Sequence, residues 1–162
     1  MNRALQSNER MRAIFLTLGL LSATTFAQPR SSFTAGPITA RVGEKASGIV
    51  QIAALNDEGT TIPISIVHGA KPGPVLGLIA GNHGYEYAPI IALQNLLPQL
   101  DPKQMAGTVI MIHVANMPSF LRRTIYYSPV DGKNLNRMYP GKLEGTISER
   151  IAYHITQDVI ER

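Results

Sequence analysis

Two stretches of this chain hold the residue types from which a hydrolytic site can be built. The first is Gly81-Asn82-His83-Gly84-Tyr85-Glu86. His83 and Glu86 stand three apart across a glycine-hinged loop, so an imidazole nitrogen and a carboxylate oxygen can converge on one ion; zinc takes both ligand types at about 2.0 to 2.2 Å. The same pair also reads as a loop histidine beside a glutamate that favourably faces a helix N-terminus. The second stretch is Asp131-Gly132-Lys133-Asn134-Leu135-Asn136-Arg137-Met138-Tyr139-Pro140-Gly141, preceded by Arg122 and Arg123. Guanidinium groups hold carboxylates in bidentate geometry and a neighbouring Asn adds a directional amide donor. A metal beside such a clamp implies a small-molecule carboxylate substrate with a scissile carbonyl near its acid group. The plainer alternative is a solvated loop whose Asn and Gly residues supply unusual backbone angles.

Other chemistries are excluded or weak. With no Cys in the chain, a disulfide framework, a thiolate zinc site and a Cys nucleophile are all ruled out. There is no G-x-S-x-G elbow and no phosphate-binding Walker pattern. Ser148 and His154 fall on different faces of one helix, and His68, His113 and His154 read as polar pairing in the core or at the surface rather than as metal ligands.

The elements needed to position these residues are legible in the pattern around them. Thr61 to Val67 alternates, with Ile62, Ile64 and Ile66 on one side, as a half-buried strand does. Gly69 to Pro74 is a turn, and Val75 to Ala80 is apolar throughout, the pattern of a central strand covered on both faces. It leads straight into the His83 loop, and in open α/β sheets ligands sit beyond the carboxyl ends of strands. Ala88 to Leu97 has helical length, Pro89 is tolerated in its first turn, and Pro98 closes it. Thr108 to Val114 is the next strand, which gives a β-α-β unit with parallel strands and delivers Asn116 to Phe120 to the same edge. After the Gly132 to Gly145 loop, Thr146-Ile147-Ser148-Glu149 is a capping box that opens a helix with Ile147, Ile151, Ile155 and Val159 as its buried stripe.

Composition sets the compartment and the partners. At 162 residues, with 44% apolar and 16% charged residues, the chain is one ordinary globular domain rather than a disordered one. Residues 1 to 27 read as a signal peptide: Arg3, Arg10 and Arg12 precede the charge-free stretch Ala13 to Phe26, with small residues before a cleavage point after Ala27. The apolar run is shorter than the about 20 residues that a membrane span needs, so export to the periplasm or medium is expected, with no stable membrane anchor after cleavage. Removing this segment lowers the net charge from +4 to about +2 and leaves no basic run beyond Arg122-Arg123, which gives nucleic-acid binding no support. Residues 28 to 48 are expected to form an extended lead-in, and 49 to 162 the N-terminal part of a catalytic domain.

H-G-Y-E after a strand, with D-G-K-N-L-N-R-M-Y-P-G about 50 residues on, resembles the succinylglutamate desuccinylase and aspartoacylase family, relatives of the zinc carboxypeptidases. The similarity runs from about Thr61 to Arg162. It implies an α/β fold with a mainly parallel or mixed sheet and helices on both faces. It also implies zinc bound by His83 and Glu86, a substrate carboxylate held by Asn136 and Arg137, and a scissile carbonyl polarised by Arg123, with Arg122 as the fallback. The implied activity is hydrolysis of an amide or ester bond beside a carboxylate, as in an N-acyl amino acid. A peptide carboxypeptidase and a non-catalytic metal-binding remnant are the alternatives. The family's third ligand, a His, and its general-base Glu have no counterpart here. The chain is therefore expected to be truncated after Arg162, inactive alone and weak in zinc binding, because a catalytic zinc needs three protein ligands.

Overall fold

A computed structural model describes residues 32–162. The signal peptide expected over 1–27 lies outside the described residues. Among the described residues, six strands and three α-helices follow in the order β1 (Ser32–Ala35), β2 (Ile38–Arg41), β3 (Glu44–Ile52), β4 (Thr60–His68), β5 (Lys71–Ile79), α1 (Tyr87–Gln99), β6 (Ala106–Ile112), α2 (Met117–Arg122) and α3 (Ile147–Ile155). Within the segment read as an extended lead-in, β1 and β2 pair as an antiparallel hairpin and β3 begins at Glu44. The main sheet has the order β3-β4-β6-β5. Its pairings β3–β4 and β4–β6 are antiparallel, and β5–β6 is parallel. The sheet is thus mixed, and the parallel arrangement is confined to the β5-α1-β6 unit that carries the first motif.

The alternating pattern of β4 does what the sequence implies. Ile62, Ile64 and Ile66 are each 1% exposed or less and face α3, whose Ile147, Ile151 and Ile155, with Val159 just beyond the helix, form one core with Phe33, Ala40, Ile110 and Ile112. On the opposite face α1 and α2 cover Ala80, Met111 and Val114, with Ile90 and Leu93 turned inward. Helices therefore lie on both faces. Beyond α3 the chain widens into a π turn over Thr156–Ile160, which keeps Val159 in the core.

One strand departs from expectation. The apolar run of β5 was expected to be central and covered on both faces, yet the described residues give it a neighbour only on the β6 side, and Leu76 is 53% exposed. Uniform apolarity reports what a strand's faces can bury, not how many neighbours pair with its edges. Gly77 has a local reason: a Cβ there would press on the Val159 side chain of the π turn.

Three carboxylates fix the start of α3. Glu149 Oε2 accepts from the Thr146 backbone N–H at 3.0 Å, Asp57 Oδ2 from Ile147 N–H at 2.7 Å, and Asp131 Oδ2 from Ser148 N–H at 3.0 Å. The first is half of the expected capping box. The other two reach in from distant loops, so donors that a helix start leaves unpaired become ties between α3, the β3–β4 loop and the second motif. Arg150, 3% exposed, completes the knot by pairing with Asp57 at 2.7 Å and donating to the carbonyls of Gly145 and Glu58.

Candidate active site

The parallel β5–β6 pair places both motifs at its carboxyl end. Its ladder runs on past the strands: Ala115 N–H donates to the Ala80 carbonyl and Asn116 N–H to the Gly81 carbonyl at 2.9 Å. Gly81, at φ +67°, then turns the chain into the His83 loop. Asn116 caps α2 by accepting from Ser119 N–H at 3.2 Å. Gly84 is buried so tightly against this segment that a Cβ would collide with the carbonyl oxygens of Ser119 and Thr124. The loop bearing His83 and Glu86 and the segment that follows β6 are therefore one packed unit.

His83 Nδ1 lies 2.9 Å from Glu86 Oε1, with the imidazole side chain 14% and the carboxylate 45% exposed. Its Nε2 lies 3.3 Å from Asn134 Oδ1, and that oxygen also accepts from the Asn136 backbone N–H at 3.0 Å. The backbone contact fixes which end of the Asn134 amide is the acceptor, so Nε2 must be the donor. In the neutral ring Nδ1 then offers a lone pair to a carboxylate, an arrangement that needs a cation between the two atoms, either a proton or a metal. Nitrogen and oxygen donors facing one point suit zinc and would fill two of its tetrahedral positions. Among the described residues no third His, Cys, Asp or Glu joins them. Tyr126 sets its ring edge-on to His83 at 5.2 Å between centroids.

The other histidines are engaged elsewhere. His68 Nδ1 bonds Thr108 Oγ1 at 2.7 Å in the core. His113 Nε2 bonds Ser65 Oγ at 2.8 Å, and burial pushes its pKa down. His154 faces Asp158 at 3.8 Å on the last helical turn.

Asn136 and Arg137 sit on a 3-10 turn over Leu135–Arg137 that Asn134 caps and Leu135, fully buried, anchors. Both side chains are exposed, and among the described residues the Arg137 guanidinium hydrogen-bonds only the Asn136 carbonyl, at 3.3 Å, leaving its fork open to a ligand. Asn134 is the residue that reading for titratable groups passed over. It stands inside the second motif, and only the fold shows that it meets His83 across 51 positions. Tyr139 donates to Asn82 Oδ1 at 3.2 Å, and burial raises its pKa to about 12, so it stays a neutral donor beside the His83 loop.

Behind this turn, Glu149 titrates at about 2: the Thr146 N–H bond lowers it first, then the Lys133 ammonium at 3.1 Å. Burial works to raise the pKa of Asp131, but bonds from the Ser148 and Lys133 backbone and from the Thr146 and Ser148 side chains outweigh it, and the net shift is downward. These ties brace the loop on either side of Asn134.

The two candidate arginines differ. Arg122 points to Glu58 Oε1 at 3.5 Å on the surface. Arg123 closes α2 with φ 55°, a left-handed conformation usually left to Gly, and lines a groove between α1 and α2.

Residues 72–162 match the succinylglutamate desuccinylase/aspartoacylase catalytic domain. The N-alpha-acetyl-L-2,4-diaminobutyric acid deacetylase of Halomonas elongata is 37% identical over 134 residues, which cover 76% of this chain and 38% of that one. An aspartoacylase family protein from Mesorhizobium loti superposes with a TM-score of 0.68 at 29% identity, over 80% of this chain and 41% of its own. A succinylglutamate desuccinylase/aspartoacylase from Rhodobacter sphaeroides gives 0.64 at 32% identity, over 72% and 37%. The chain thus spans about two fifths of the length of the relatives it matches. With the mixed sheet, helices on both faces and both motifs at one sheet edge, these matches show that the chain belongs to the succinylglutamate desuccinylase/aspartoacylase family.

Proposed function

We propose that this chain contributes the N-terminal half of a zinc site that hydrolyses the amide bond of an N-acyl amino acid, in an exported protein. The observation that carries this reading is the bridge from His83 through Asn134 to the Asn136-Arg137 turn: one hydrogen-bonded unit holds both a metal-ligand pair and an open carboxylate clamp. His83 Nδ1 and Glu86 would hold zinc, which in such a site supplies Lewis acidity toward a carbonyl oxygen and a water molecule. Arg137 grips the amino-acid carboxylate through its fork, and the Asn136 amide donates beside it. Arg123, with no acidic partner among the described residues, donates to the acyl carbonyl where negative charge develops. The deacetylase relative makes an N-acetyl diamino acid the first substrate to try, ahead of a peptide with a free C-terminus.

The test is zinc competition against a chromophoric chelator on the 162-residue chain, together with NMR titration of N-acetyl amino acids and of short peptides. His83→Ala and Glu86→Gln should each weaken zinc by at least ten-fold, and Arg137→Ala should weaken the N-acetyl amino acid without moving zinc. Zinc binding that ignores both ligand substitutions would overturn the reading; tighter binding of the peptides would move it to a carboxypeptidase. Export is tested by mass spectrometry of protein from a secreting host, which should show a mature N-terminus near Gln28; an intact Met1 in the cytoplasm refutes it.

A further inference from the structure

Two consecutive side chains of the first motif are bonded to the second. His83 Nε2 lies 3.3 Å from Asn134 Oδ1, and Asn82 Oδ1 accepts from the Tyr139 hydroxyl at 3.2 Å. Asn134 stands just before the Leu135–Arg137 turn and Tyr139 just after its cap, Met138, so the two bonds leave from opposite ends of the turn that carries Asn136 and Arg137. Both bonds are long for their kind. A lone bond of this length leaves a side chain free to swing about it; two, on adjacent residues, remove that freedom. They fall between the loop's two packed points: Gly81, where a Cβ would press on Val114, and Gly84, where it would collide with the Ser119 and Thr124 carbonyl oxygens.

Tyr139 is itself anchored from behind. Its ring packs against the main core, a Cβ on Gly141 would collide with the Glu149 carbonyl oxygen of α3, and the Lys142 N–H donates to that same carbonyl at 3.0 Å. A Phe would fill this place without taking a hydroxyl out of water, which costs free energy unless the hydroxyl is paired. Its pairing here is the bond to Asn82, and with the pKa raised to about 12 by burial the phenol keeps the proton it donates.

We propose that Tyr139 is a positioning residue for the metal site: by holding Asn82 it fixes the neighbouring His83 in the orientation in which the imidazole meets Glu86 and a zinc ion. The inference rests on the amidohydrolase reading above and deepens it, adding to the ligand pair a residue that acts through Asn82 rather than by ligation. A neutral hydrogen bond contributes about five-fold to an equilibrium that depends on it.

The experiment uses the 162-residue chain with ring-labelled histidines and compares Tyr139→Phe, which leaves no buried hydroxyl unpaired, with Asn82→Ala and the double variant. Chelator competition should show zinc weakened about five-fold by each single substitution and no further by the pair, because both remove one bond. In the zinc-free chain, the His83 Nε2–H should exchange with water faster in all three variants by NMR, while the His68 and His113 ring protons and Tm change little. If Tyr139→Phe binds zinc as the parent does while His83→Ala and Glu86→Gln still weaken it, the positioning role fails and the amidohydrolase reading stands. If zinc ignores His83→Ala and Glu86→Gln, the amidohydrolase reading fails. If Tyr139→Phe lowers Tm and speeds exchange at His68 and His113 as much as at His83, Tyr139 braces the fold as a whole and the proposal is overturned; should that variant not fold, Asn82→Ala alone decides by the same readouts.

Discussion

Replacing Glu149 by Gln should remove a contribution to stability that depends on pH in a defined way. Glutamine keeps the shape and the acceptor oxygen for the Thr146 N–H, as capping boxes allow, and loses only the charge that faces Lys133 and Lys142 at 3.1 and 3.6 Å. The carboxyl titrates at about 2 in the folded chain, against 4.5 as the ordinary value. A depressed folded pKa stabilises above the unfolded pKa, and the stabilisation fades as pH falls through the folded one. At 1.36 kcal/mol per pH unit the contribution is roughly 3 kcal/mol at pH 7, and the same linkage leaves roughly 1.5 kcal/mol at pH 3. With the side chain 17% exposed, solvent screening lowers both numbers together, so their ratio is the sharper quantity. Urea unfolding of both proteins at pH 7, 5, 4 and 3 should show a gap that is constant down to about pH 5 and about halved by pH 3. A gap that is the same at pH 7 and pH 3, or one that widens on acidification, would refute the assignment of the stabilisation to the ionised carboxylate.

Three further outcomes are expected. Gly84→Ala should cost about 1 to 3 kcal/mol and lower Tm, because the added Cβ meets the Ser119 and Thr124 backbone carbonyls, which have no flexible end to give way; an unchanged thermal melt refutes it. Asn134→Ala should weaken zinc about 10- to 100-fold while Asn134→Asp retains most of the affinity, since either acceptor orients Nε2; chelator competition reads both, and equal losses would remove Asn134 from the site. Arg150→Met should destabilise by about 3 kcal/mol or more by leaving Asp57 partly buried and unpaired, and a second substitution, Asp57→Asn, should recover part of that loss; denaturant midpoints give the cycle, and simple additivity refutes the coupling.

What the sequence makes legible follows the range over which each signal acts. The isoleucine alternation of β4 and the four-residue stripe of α3 are local periodicities, and both bury the faces they imply. The β5-α1-β6 unit follows from the order of apolar runs and a short return path, and β5 and β6 do pair in parallel. The antiparallel partners of β4 were not legible, because β3 begins among Ser, Gly and Lys residues and is exposed along one face, so its strand pattern is diluted. The candidate site divides in the same way. His83 and Glu86 are neighbours in sequence and in space. Asp57 sits in a polar loop and reaches the Ile147 N–H across 90 positions, and no local pattern announces such a contact. Asn134 lies in plain view in the second motif, but an amide has no charge change to mark it as functional.

The site is made of parts whose orientation is settled in a fixed order from the core outward. Leu135 is fully buried and sets the 3-10 turn; the turn points the Asn136 N–H at Asn134 Oδ1; that oxygen decides the donor role of His83 Nε2; and the ring so placed turns Nδ1 toward Glu86, with a proton or a metal ion between them. Up to Nε2, each step uses a group that has a single remaining choice once the previous one is made. The mutual approach of a lone pair and a carboxylate is unfavourable without a cation, so the fold has stored at this point an electrostatic demand that only positive charge satisfies. Because Asn136 and Arg137 lie on the turn that Asn134 caps, the proposed carboxylate clamp and the amide bonded to His83 belong to one backbone segment. Under the proposed function, the backbone separation between the carboxylate clamp and the cation position is set by this turn, as selection of an amide bond at a fixed reach from an acid group would require.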